Sequence, residues 1–392
     1  MNMRKKLLSL VMAIAILCVT SVPAFASSTF NCKDDNVEEK MLKLLLSIEH
    51  EKEMYGLGSV DFSSVTIGEG IPTYKVKDGT LALADISFIP ILSGGEVVSL
   101  FYVADIPNIG VYVQLSCELV ESLKQFSDNT DIAIIYDDTG AYVYKSDKLS
   151  RLTYAEKSII PYERYVEITT NPVSKEEYDI LTEATPKNLI ESIQKKDLNA
   201  VQKGGIASKK TINIKGYSQS EASIARSTSK YLSVDIIKQP RNTHICWAIA
   251  ITSIANYLFN DTWQYESIVN MFNSGIDQGM STPDAIQNFN EWFNADYGYS
   301  YAANISKSFI LNQLVAGYPL FGGFCRGNDN YHAVVIRGIN TAANTFSVMN
   351  PSPTTTGYTA GTISSSGELS FISANSGYTY SLYNAGHYLY VD

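Results

Sequence analysis

Ile245-Cys246-Trp247-Ala248-Ile249-Ala250 opens an uncharged run that continues to Phe259, and the rest of the chain is organised around it. The run predicts a helix over 246–259 whose first residue is a cysteine. Upstream, 231–237 reads as a short apolar strand. Downstream, apolar spacing predicts helices over 265–273, 283–294 and 306–316, with Pro283 at the first helical position and Thr282 or Ser281 as its cap. After Pro319 the period changes to that of strands: 320–324, 333–339, 345–349, 369–373, 378–382 and 387–391. Helices come first and an antiparallel sheet second.

Further upstream the composition changes. Residues 231–392 hold five Lys/Arg and ten Asp/Glu, while residues 1–230 carry charge at more than twice that density. All three tryptophans (Trp247, Trp263, Trp292) fall in the later part. Between the two, 202–230 is rich in Lys, Ser, Gly and Ala without apolar periodicity, which predicts an exposed linker open to proteolysis, with Lys209, Lys210, Arg226 and Lys230 in it. A length of 392 residues suits two domains. The earlier one reads as a helix over 37–54, from Val37, Met41, Leu44, Leu45 and Ile48, with strands over 80–89, 97–104, 111–115, 132–136 and 141–144. Asp138-Thr139-Gly140 suits a hairpin turn, and 119–126, 175–182 and 188–193 suit short helices. No catalytic grouping stands out there. The fold class expected is α+β, an antiparallel sheet on a helix followed by a helical half and a β half.

The first 26 residues read as an export signal: Arg4, Lys5 and Lys6, an apolar run over 7–19, then Ala24-Phe25-Ala26 for cleavage. That run is too short to span a bilayer, and no later run is long enough, so secretion is expected and stable membrane insertion is not. The net charge of −10 argues against nucleic acid as a partner.

Three residues in the later part carry chemistry. A thiol at a helix N-terminus meets the positive end of the macrodipole, a setting that favours thiolate, and a thiolate needs an imidazole to hold its proton. Asn330-Tyr331-His332-Ala333-Val334-Val335 puts a histidine at the mouth of a strand, and Val348-Met349-Asn350-Pro351 ends the next strand on a carboxamide. Antiparallel pairing across 340–344 would bring His332 and Asn350 to one sheet end, the amide oxygen holding the ring towards Cys246. His244, Cys246, Cys325 and His332 fit no common zinc spacing, and no metal or organic cofactor is expected. His50 and His387 read as structural. Cys32, Cys117 and Cys325 are an odd set, so they cannot all pair among themselves, and a Cys246–Cys325 disulfide would remove the nucleophile.

With Gln239, Cys246-Trp247-Ala248, Tyr331-His332-Ala333-Val334-Val335 and Asn350-Pro351 in this order, residues 231–392 resemble the papain-like cysteine peptidases. The signal peptide and long N-terminal segment look most like secreted bacterial members such as the staphopains; the double-glycine leader peptidases are also similar but place Asp third. The resemblance implies Cys246 as nucleophile, His332 as general base and acid, Asn350 as its orienter and Gln239 as an oxyanion-hole donor. Six residues lie between Gln239 and Cys246 where the plant enzymes have five, which leaves Asn242 as an alternative donor. The Asn-Ser-Trp run of the plant enzymes is replaced by Asn350-Pro351-Ser352, so what shields the His–Asn bond is open. It further implies a zymogen: residues 27–201 as a pro-domain that folds and inhibits, 202–230 as the processing region, and peptide-bond hydrolysis of a protein or peptide substrate. A cell-wall amidase or transpeptidase using the same thiol, and a non-catalytic secreted binding protein, are the rival readings.

Overall fold

The computed structural model describes residues 37–77, 80–106, 110–127, 131–137, 140–153, 201, 210–213, 228–241, 243–272, 274–275, 278–326 and 331–389. The fold is mixed α/β with one large sheet. The expected signal peptide, the helices over 175–182 and 188–193, and Asn242 lie outside the described residues. No helix among the described residues is long and apolar enough to cross a membrane.

The earlier part begins with α1 (Val37–Ile48), amphipathic as its spacing predicts, which buries Met41, Leu44, Leu45 and Ile48. Its last stretch differs from the expectation: Glu49–Tyr55 tightens to a 3-10 helix, with non-helical backbone at Glu51. Strands β1 (Ser64–Ile67), β2 (Ile71–Lys77), β3 (Thr80–Ser93), β4 (Glu96–Ile106) and β5 (Gly110–Ser116) follow. After the short helix α2 (Val120–Lys124) come β6 (Ala133–Asp137), β7 (Gly140–Lys145), β8 (Lys148–Arg151) and β9 (Lys210–Asn213). Strand β9 falls inside the expected exposed linker over 202–230 but pairs antiparallel with β1 and buries Ile212, so this piece belongs to the sheet. Neighbours pair antiparallel along β2–β3–β4–β5 and β6–β7–β8, while β2 meets β6 in parallel.

The later part begins with β10 (Ser229–Tyr231), shorter than the expected strand over 231–237: Leu232 still bonds to the Arg337 carbonyl, but Leu232 and Val234 are held by burial, not by a ladder. Helix α3 (Cys246–Phe259) matches its expectation and is buried from Trp247 to Asn256. Each fully buried aliphatic side chain there stabilises the fold by about 1.5–3 kcal/mol. Helices α4 (Tyr265–Met271) and α5 (Thr282–Phe293) pack beside it, α5 capped by Ser281, whose hydroxyl accepts from the Asp284 N–H. Then come β11 (Tyr297–Tyr301), α6 (Lys307–Val315), β12 (Leu320–Cys325), β13 (Tyr331–Asn340), β14 (Thr345–Met349), β15 (Thr359–Thr362), β16 (Ser370–Ile372) and β17 (Thr379–Tyr388). The expected strands over 378–382 and 387–391 are the single strand β17. Strands β12 to β17 form a ring: β12–β13–β14–β15, across the Ile363–Leu369 bridge to β16, and through β17 back to β12.

The composition step near Tyr231 is not a break in the sheet. Strand β15 pairs on its other side with β5, Ala360 opposite Leu115, so the earlier part continues the ring outward. One hydrophobic cluster holds Leu44, Ile48, Tyr55, Phe101 and Leu115 together with Trp247, Ile336, Phe346 and Tyr358. At Gly357 the two parts approach so closely that a Cβ would lie 2.3 Å from the Met54 carbonyl oxygen and 2.8 Å from the Cys117 sulfur. Arg337, fully buried, links them electrostatically: its two outer nitrogens reach Glu51 and the hydroxyls of Tyr55 and Ser347, and its plane lies 3.8 Å from the Tyr358 ring centroid.

Candidate active site

Cys246 is the first residue of α3, and the preceding Ile245 offers no side-chain cap. The first N–H groups of a helix have no intrahelical acceptor, so positive potential collects where the sulfur sits. The Ala333 N–H, from β13, also points at the Cys246 sulfur, 3.5 Å away. The thiol therefore lies against the backbone of the residue that follows His332. Cys246 is partly exposed.

Pairing of β13 with β14, Asn340 opposite Thr345 and Val335 opposite Met349, carries His332 and Asn350 to the same sheet end. Both are buried, and the His332 Nε2–H donates to Asn350 Oδ1 over 2.7 Å. That bond fixes the tautomer and makes Nδ1 the basic ring nitrogen. Phe371 and Tyr380, stacked on each other at 5.3 Å, stand 5.7 and 6.0 Å from the His332 ring. They come from β16 and β17 and put two aromatic rings beside the buried ring of His332, where the sequence pointed to no residue.

Gln239 is buried in the loop before α3, and its Nε2 donates to the Thr243 carbonyl over 2.6 Å. A carboxamide nitrogen carries two hydrogens, so this bond uses one. Thr243 in turn donates to the Pro240 carbonyl, which braces the loop. Trp247 is buried, stacking on Phe272 and donating to the Gln278 carbonyl. Cys117, Cys246 and Cys325 are all thiols, and burial pushes Cys117 up from the ordinary thiol range. His387 bonds to Ser300, within the sheet edge of β11 and β17.

One contact has no counterpart in the sequence reading. The Asn350 Nδ2 donates to Glu118 Oε1 over 2.7 Å, and Glu118 belongs to the earlier part of the chain, between β5 and α2. Thr355 lies beside the same oxygen, its hydroxyl 3.3 Å away, and also donates to the Asn350 carbonyl. The hydrogen-bonded row Glu118, Asn350, His332 thus runs from one part of the chain into the other, with the Cys246 sulfur against the next backbone N–H, that of Ala333. A lone glutamate 232 positions before its partner carries no periodicity or motif that could have flagged it.

No curated protein matches the chain. A solved structure from Bacillus anthracis, described as C39-like peptidase, aligns at 10% identity over 42% of this chain and 99% of its own, with a TM-score of 0.31. Residues 228–363, which include Cys246, His332 and Asn350 but not Glu118, match the family described as papain-like cysteine protease AvrRpt2, and this similarity supports a cysteine-type peptidase.

Proposed function

We propose that the protein is a secreted cysteine endopeptidase made as a zymogen, in which Cys246, His332 and Asn350 act as a triad. The carrying observation is the buried His332–Asn350 bond beside a thiol at the start of α3. Cys246 attacks the scissile carbonyl as thiolate, with the proton held on His332 Nδ1. The tetrahedral oxyanion is met by the Cys246 backbone N–H and a Gln239 amide hydrogen, a donor of a kind that contributes about 2.7–4 kcal/mol to lowering the barrier. His332 then protonates the leaving amine, and afterwards draws a proton from the water that hydrolyses the thioester.

The activating cut lies in 202–230, and the earlier part, built into the later one through β5 and Glu51, stays bound after it. Inhibition by residues 27–201 belongs to the same reading, and the activities of uncut and cut chain against casein decide it: equal activities would remove the zymogen element. For the chemistry, Cys246→Ala should abolish casein hydrolysis and self-cleavage within 202–230. His332→Ala should suppress alkylation of Cys246 by iodoacetamide at mildly acidic pH. Hydrolysis that survives Cys246→Ala would defeat the peptidase assignment.

A further inference from the structure

We propose that Glu118 is a positioning residue for this triad, its carboxylate setting which way the Asn350 carboxamide faces. The proposal rests on the peptidase reading and extends it to a residue outside the segment that matches the protease family. A carboxamide has a donor end and an acceptor end of nearly the same shape. Asn350 turns Oδ1 to His332 and Nδ2 to Glu118, 2.7 Å on each side. A carboxylate only accepts, so turning the amide over would set two oxygens against each other and aim an amide N–H at the imidazole N–H. Asn350 and Glu118 are 1% and 2% exposed, too little for water to compensate either loss. The Glu118 charge, relayed through the amide, also sets negative potential on the far side of His332 when that ring takes the thiol proton.

The backbone of Glu118 is held on both sides. The Tyr102 hydroxyl donates to its carbonyl over 3.1 Å, and its own N–H donates to the Ser116 hydroxyl over 3.2 Å. The next residue, Leu119, is buried with φ of 65°, a left-handed conformation that a branched side chain adopts only under constraint. Strain of this sort persists where surrounding structure dictates one backbone path, and here the path delivers a carboxylate to Asn350. The same geometry explains why a carboxamide, and not a carboxylate, stands at 350: an acid there would face Glu118 across a hydrogen-bond distance.

The test exchanges the two groups in the chain cut within 202–230, both parts still bound, with peptide hydrolysis and the iodoacetamide alkylation rate of Cys246 as readouts. E118Q, isosteric and so expected to fold, keeps an acceptor oxygen for Asn350 Nδ2 but removes the charge and no longer forbids the turned-over amide. It should lower kcat about tenfold with KM little changed, the difference between a charged and a neutral acceptor. N350D should lower kcat further, by about a hundredfold, since it sets two carboxylates face to face. E118Q combined with N350D restores an amide–carboxylate pair with the ends reversed, and kcat should rise at least about tenfold above N350D alone, given that each 1.36 kcal/mol is a factor of ten. Alkylation rates should follow the same order. A double variant no faster than N350D, or E118Q with the parent's kcat and alkylation rate, would overturn the role. Loss of all alkylation in the unsubstituted protein would instead strike the peptidase reading itself.

Discussion

The parts before and after residue 228 differ sharply in charge density and hardly at all in where their interiors go. The earlier part carries most of the Lys, Arg, Asp and Glu, yet its buried side chains are Leu, Ile, Val, Phe and Tyr, as in the later part. Charged groups stay at the surface and say little about where a core ends. The later part is poor in charge, but one of its few cations, Arg337, is fully buried and has its carboxylate, Glu51, in the earlier part. A step in composition therefore marks a change of surface, while the sheet and core pass through it.

The strongest challenge to this shared interior is to separate the parts. Residues 228–392 expressed alone should be insoluble or inactive, because β15 loses its β5 partner and the Tyr358 and Phe346 side of the core lies open. Co-expression with residues 27–227, which keep β9, should restore soluble protein on a sizing column and casein hydrolysis. An independently folded, active later part would mean two separate interiors.

Alkaline titration should unfold both parts together. Burial raises Tyr102, Tyr112, Tyr136 and Tyr55 in the earlier part and Tyr297 in the later part, and pushes Tyr231 up to about 12. Above the ordinary tyrosine value near 10 the unfolded chain releases protons that the folded chain keeps, so the stability present below that pH is lost as pH rises. One cooperative transition by circular dichroism above pH of about 10 is expected; two separated transitions would mean separate interiors.

Glu51→Ala leaves the buried Arg337 guanidinium without its carboxylate and should lower unfolding free energy by about 3–5 kcal/mol in urea titration. A loss below about 1 kcal/mol would mean that the pair does not join the two parts. Gly357→Ala drives a Cβ against the Met54 carbonyl, a backbone atom that cannot swing aside, and should cost about 1–3 kcal/mol. Lys43→Ala removes only the exposed pair with Glu39 on α1 and should change stability by no more than about 0.5 kcal/mol, a control for surface charge.

What the sequence made legible follows the physics of each element. Helix α3 was readable to both ends because one apolar run coincides with it, and β14 because its strand is bounded by turn residues on both sides. The His332–Asn350 approach followed from the hairpin between them. Strand β11 was missed, since exposed Tyr299 and Tyr301 alternate with Gly298 and Ser300 and no apolar face announces it. Strand β15, Thr-Ala-Gly-Thr, was missed for the opposite reason: paired on both edges and buried throughout, it needs no hydrophobic alternation. Glu118 was illegible because its meaning lies wholly in a tertiary contact.

The place of β15 between β14 and β5 also governs the order in which the chain can mature. Ribosomes produce residues 110–116 long before residues 359–362, so the open side of β5 must wait, unpaired, through the synthesis of everything between. Such distant closure is slow, and a waiting strand edge invites pairing with other molecules. The open edge of β5 is thus covered only when the small, polar Thr359–Thr362 segment arrives to seal the sheet.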